Sequence, residues 1–141
     1  MESYTHMAGM WLVGEDMPQE SNAVTLHPSD KDAHGLPVPN VHFDDHPNDV
    51  AMREHAYKQG SAVYDAAGAK RNYLVPPYPS THNLGTCRMS ADAKDGVCNQ
   101  FGQTHDIDNL FISDGSQFTT GAAETPTLTI VTLAIRQAEY I

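Results

Sequence analysis

A chain of 141 residues has the length of one ordinary domain, and an apolar content of 40% is that of a globular protein rather than a disordered one. Eight Lys and Arg stand against 18 Asp and Glu, a net charge of -10 that repels phosphates and argues against nucleic acid or an anionic membrane as partner. Small molecules or other proteins remain. Cys87 and Cys98 are one possible pair, too few for a disulfide framework.

The first apolar run, Met7 to Val13, is short, follows Glu2 rather than a basic patch and ends in Gly14-Glu15-Asp16; it reads neither as a signal peptide nor as a membrane span. Residues 10–13, residues 24–26 and the alternating Val38, Val41 and Phe43 are expected as short strands between polar turns, with Pro37 and Pro39 pushing the third toward a sheet edge. A helix is expected from Asn48, which can cap it, with Asp49 in the positive first turn. Val50, Ala56, Tyr57, Gly60, Val63, Tyr64 and Ala67 fall on one face, and Gly68 closes the helix ahead of Lys70 and Arg71. Pro76, Pro77 and Pro79 lack backbone donors, so residues 73–80 should be an extended connector.

Leu110, Phe111 and Ile112 form a brief apolar run that stops at Asp114-Gly115-Ser116, the pattern of a buried strand ending in a tight turn. Parallel sheets place ligands at such strand ends. The last element begins at Thr125-Pro126, where Thr can cap and Pro fits the first helical position, and runs through Leu128, Val131, Ile135 and Ala138. Ile130, Leu133 and Ala134 make it apolar on other faces too, so it expects burial that this chain has few elements to provide.

Chemistry concentrates in Thr81-His82-Asn83-Leu84-Gly85-Thr86-Cys87-Arg88-Met89. A histidine, suited to proton transfer near neutral pH, precedes a glycine that lets backbone come close to a neighbour. The plain alternative is a histidine on a surface loop. The start of the last helix offers free N–H groups and a positive dipole end that can stabilise an anion, or it is an ordinary capped core helix. His42-Phe43-Asp44-Asp45-His46, with His34 and His55 nearby, has metal-ligand residue types, but convergence of the i, i+4 pair needs a helix that Pro47 opposes. Ser116 beside Asp114 lacks the Gly-x-Ser-x-Gly elbow of a hydrolase, and Cys87 next to Arg88 is weak evidence for a thiolate. No Gly-x-Gly-x-x-Gly or phosphate loop occurs, so the chain carries no complete dinucleotide site.

In order along the chain, His82-x-x-Gly-Thr-Cys-Arg-Met, Gly96-Val97, Asn109-Leu-Phe-Ile-Ser-Asp-Gly-Ser and Thr125-Pro-Thr-Leu-Thr-Ile closely resemble the C-terminal signature of glucose-methanol-choline (GMC) oxidoreductases. Trp11-Leu-Val-Gly-Glu-Asp, Asn22-Ala-Val-Thr-Leu and Gly35-Leu-Pro-Val-Pro-Asn-Val-His-Phe look like the polyol and sugar-acid dehydrogenase flavoprotein branch. The resemblance implies an α+β / α/β fragment: residues 1–105 as the last part of an antiparallel-sheet substrate domain, residues 106–141 as the returning strand, turn and helix of a Rossmann-like FAD domain whose glycine motif would precede Met1. It implies FAD as cofactor and hydride transfer from an alcohol, polyol or sugar acid, with His82 taking the hydroxyl proton. The position where most members carry His or Asn is Thr125, a departure, because threonine can hold a hydroxyl but is no base near neutral pH. Pro126 and Thr127 match backbone facing the flavin ring; Asp114 and Gly115 match the turn that meets its phosphate and ribityl part. The implied electron acceptors are dioxygen, a quinone or a cytochrome subunit. The rival expectation is a non-catalytic remnant or binding module without flavin.

Overall fold

The computed structural model describes residues 3–78 and 80–141. Met1, Glu2 and Pro79 lie outside the described residues, and with them the acidic start read at Glu2 and one proline of the expected connector. Among the described residues two strands and two helices form the regular structure, an α+β arrangement with short 3₁₀ turns at Tyr4–His6 and Gly115–Gln117.

Strands β1 (Ala23–Lys31) and β2 (Pro37–His42) pair antiparallel, with Ala23 opposite His42, Val24 opposite Val41 and Leu26 opposite Pro39. The register then slips before Lys31 meets Pro37. Asp32 builds the connecting turn: its Oδ1 accepts from the backbone of His34 (2.8 Å) and Leu36 (3.0 Å), and Gly35 takes the left-handed φ of +82° that the turn requires. The strand expected through Phe43 stops at His42, and Phe43 is 58% exposed. Pro37 and Pro39 are tolerated because both strands of a two-stranded ribbon are edges.

The strand expected at residues 10–13 does not form. That segment runs along helix α1 (Pro47–Ala66) instead, where Leu12 lies over Gly60 and Met52 closes on Gly14. Just beyond it Met17 N donates to Asp49 Oδ1 at 3.1 Å rather than to a strand, and a segment without a ladder partner has no bonds to define a strand.

His46, not Asn48, caps α1. Its Nδ1 accepts from Asn48 N at 3.0 Å while Asp49 Oδ2 accepts from His46 N at 3.2 Å, a reciprocal capping box that puts Pro47 in the first turn. The face turned inward is Asp49, Met52, Ala56, Tyr57, Gly60 and Tyr64; Val50 and Val63 point to solvent. At the other end Ala69 N reaches Tyr64 O and Gly68 N reaches Asp65 O, with Gly68 at φ +83°, the paired bonds of a Schellman stop. The connector beyond is extended and exposed through Tyr78, and Tyr57 Oη donates to Val75 O at 2.9 Å.

The remaining packing gathers on the C-terminal helix α2 (Thr127–Tyr140). Its inward face is Ile130, Leu133, Ala134 and Gln137, whereas Leu128, Val131 and Ile135 are exposed. Pro126 takes the capping position without a side-chain bond, so Thr125 stands outside the helix and does not cap it. Residues 110–112 are not a regular strand: Phe111 makes one antiparallel bridge with Gln103, and Ile112 N donates to Gly102 O. Among the described residues no helix is long and apolar enough to cross a membrane.

Candidate functional site

Three hydrogen bonds join the histidine motif to the Asp114 turn. Gly85 N donates to Gly115 O (3.4 Å), Cys87 N to Ser116 O (2.9 Å) and Met89 N to Gln117 O (2.8 Å). The bonds step along both segments together, so two motifs some thirty residues apart become neighbouring backbones. Gly85, at φ +86°, supplies the bend that lets the first of these amides face its acceptor.

The turn itself is built by Asp114. Its Oδ1 accepts from Ser116 N at 2.8 Å and from the Ser116 hydroxyl at 2.5 Å, capping the Gly115–Gln117 turn. Those two donors hold the carboxyl below its ordinary range, hydroxyl first and amide second, against a smaller opposing effect of burial. Asp114 is therefore anionic at neutral pH. Because the Ser116 hydroxyl is spent on Asp114, no serine–histidine pair of a hydrolase is assembled here.

α2 meets this turn at Gly115. A methyl built on Gly115 would lie 3.3 Å from Ile130 Cδ1 and 2.6 Å from Leu84 Cδ2, so Leu84 and the first turns of the helix converge on one buried glycine. His82 and Thr125 are both exposed, and the His82 amide donates to Ser80 Oγ at 3.0 Å. The structure thus brings together the loop of His82, the Asp114-Gly115 turn and the helix that opens after Thr125, Pro126 and Thr127.

The other candidates separate. His42 Nε2 lies 3.1 Å from Asp44 Oδ2 and His46 is engaged as a helix cap; among the described residues no three His, Cys, Asp or Glu side chains gather around a point that could hold a metal. Cys98 is fully buried, its thiol pushed up by burial and then by nearby Cys87, and its Sγ donates to Cys87 O at 3.4 Å. Both cysteines are free thiols. Arg88 Nε donates to Asp95 O at 2.7 Å and so braces a loop.

Residue-by-residue reading missed Gln137. Buried on the otherwise apolar inward face of α2, its Nε2 donates to Phe101 O (3.0 Å) and Ile112 O (2.8 Å). Nearby, Phe101 stacks on Tyr140 with ring centroids 4.1 Å apart and Arg136 lies 4.7 Å over the Phe101 ring. The signal was a polar residue at the i+7 position of the Ile130 stripe.

Residues 18–134 match the GMC oxidoreductase family model. The chain is 42% identical over 135 residues to 2-methyl-1,2-propanediol dehydrogenase of Mycolicibacterium austroafricanum, covering 94% of this chain and 24% of that protein. It is 25% identical over 150 residues to the gluconate 2-dehydrogenase flavoprotein of Pantoea cypripedii, covering 99% of this chain and 24% of that protein. Among solved structures, pyridoxine 4-oxidase from Mesorbium loti superposes with a TM-score of 0.64 at 19% identity, over 86% of this chain and 27% of that one, a likeness of fold. The chain spans about a quarter of the length of these curated relatives.

Proposed function

Since the chain belongs to the GMC oxidoreductase family, we propose that it is part of a flavin-dependent oxidoreductase that acts on the CH–OH group of an alcohol, polyol or sugar acid. The observation that carries this reading is the three-bond seam between the His82 motif and the Asp114 turn, with Ile130 of α2 against Gly115. It sets His82, the Asp114 turn and an uncapped helix start on adjoining segments.

The residues fit part of FAD. Asp114, anionic and already shaped by Ser116, suits hydroxyl donors of a ribityl chain; Gly115 keeps that turn slim, and the uncapped N–H groups from Thr127 onward, behind Pro126, suit carbonyl oxygens of a flavin ring. When bound, FAD supplies the hydride acceptor. His82, exposed at the rim of this seam, takes the proton of the substrate hydroxyl, and Thr125, outside the helix and not used as its cap, holds the substrate oxygen. Under this reading residues 1–105 belong to a substrate domain and residues 106–141 to a FAD domain.

Large apolar side chains left bare support a larger assembled protein: Leu26, Val41, Leu128 and Ile141 are each 70% exposed or more. A covering region would also bind most of the flavin. The electron acceptor, a quinone or a cytochrome subunit among the candidates, would meet that larger protein.

The test is His82→Ala in the FAD-loaded enzyme. Turnover should fall by ~100-fold or more while the flavin absorbance spectrum is kept. A loss under about 10-fold would remove His82 from the proton-transfer role. Thr125→Asn probes the departure, and an unchanged KM and kcat would remove Thr125 from the substrate contact.

A further inference from the structure

We infer that Leu84 is a positioning residue for His82, seated against two glycines where any added methyl would press on it; the inference rests on the His82 role proposed above. A methyl on Gly115 would come within 2.6 Å of Leu84 Cδ2, and a methyl on Gly121 within 3.2 Å of Leu84 Cδ1. The two branches of one side chain therefore rest on two glycines from different parts of the loop that precedes α2. Neither glycine is among the described residues with positive φ, which are Gly35, Gly68, Gly85 and Gly102. Backbone conformation does not demand glycine at 115 or 121; room for Leu84 does.

The neighbours give this fit a direction. Ile130 Cδ1 approaches the same face of Gly115, as does Asn83 O, at 3.3 and 3.4 Å from the position of a methyl there. Leu84 lies two residues after His82 and directly before Gly85, whose left-handed bend carries the first bond of the seam. His82 is exposed, with its own amide tied only locally to Ser80. The place of its imidazole relative to the turn and to the start of α2 is therefore set largely by how Leu84 is seated. An ångström of slack in a proton-transfer group costs rate far more than binding, because the reacting geometry is narrow.

A double-variant cycle in the holoenzyme tests this with Leu84→Ala, Gly115→Ala and the two combined. Leu84→Ala should lower kcat ~10-fold or more with KM little changed and with the pH profile of kcat/KM displaced, and Leu84→Met should restore most of the rate. Gly115→Ala alone should lower the melting temperature and speed amide exchange at Gly85 and Cys87. Adding Leu84→Ala to it should recover part of both, because the new methyl then occupies space that Leu84 vacated. Strictly additive losses, or a Leu84→Ala enzyme with wild-type kcat and pH profile, would overturn the inference. The stability and exchange arms do not depend on catalysis, so a failed His82→Ala test and a failed Leu84 fit are read separately.

Discussion

Replacing Gln137 by Met removes two hydrogen-bond donors while keeping an unbranched side chain of similar length on α2. One amide nitrogen carries two hydrogens and serves two carbonyls, Phe101 O at 3.0 Å and Ile112 O at 2.8 Å, in a site where Gln137 is 7% exposed. Each acceptor left without a partner costs ~1–3 kcal/mol, and the better burial of a thioether offsets about 1 kcal/mol of the sum. The net loss should be about 1–5 kcal/mol, centred near 3, or roughly 3 °C in melting temperature for each kcal/mol in a domain of this size. Gln137→Glu should be worse near neutral pH, since a carboxylate would face two carbonyl oxygens with no proton to share. Denaturant unfolding measures the loss, and amide exchange at Ile112, whose N–H bonds to Gly102 O, reports whether the damage is local. A loss below about 0.5 kcal/mol for Met, or a Glu variant more stable than the Met variant at pH 7, would refute the assignment of Gln137 as the clamp.

Two glycines with the same left-handed backbone should respond differently to alanine. Gly35 (φ +82°) faces open space, so Gly35→Ala should cost only about 1 kcal/mol, whereas Gly102 (φ +73°) meets Gln137 Nε2 and, at 2.5 Å, Ile112 O, so Gly102→Ala should cost at least about 3 kcal/mol by thermal unfolding. Equal losses at the two sites would show that backbone conformation alone matters. Asp16 has its carboxyl raised, first by burial, then by Asp49 and Asp45, with Arg53 partly opposing. A raised folded-state value means that the folded chain holds its proton more tightly, so ionised Asp16 costs stability at neutral pH and nothing below its unfolded value near 3.8. Asp16→Asn should therefore unfold at higher urea at pH 7, with an advantage that shrinks as the solution is acidified through the carboxylate range; an advantage that grows on acidification has the wrong sign.

The parts of this molecule legible in the sequence are those written in local chemistry. Gly68 marks the end of α1, Asp49 its first turn, and the Val24 to Leu26 run with the Val38 and Val41 alternation the two strands of the hairpin. Histidine at a cap was passed over because its acceptor nitrogen competes with commoner caps such as Asn48 two residues later. Residues 10–13 are a short apolar run like a buried strand, yet pattern cannot say whether a partner strand is present or a helix takes its place. The inward face of α2 was equally ambiguous, because Leu128, Val131 and Ile135 are as apolar as Ile130, Leu133 and Ala134, and only Gln137 tells the two sides apart. The motifs at residues 82–89 and 109–116 stood out singly, but their union depends on backbone bonds that leave no trace in residue types.

The fastening of α2 is lopsided, and that makes it a lever. Gln137, Arg136 and Tyr140 bolt the tail to Phe101 and Ile112, while the head after Pro126 carries no side-chain cap and packs on Gly115 through Ile130. Ten residues of helix, about 15 Å, separate Thr127 from Gln137, so a tilt of about 5° around that fulcrum would swing Thr127 through about 1.3 Å. In the proposed site, travel of that size would separate an amide that touches a bound ring from one that stands clear of it. The proposed flavin end of the helix is thus held by packing, and its far end by hydrogen bonds.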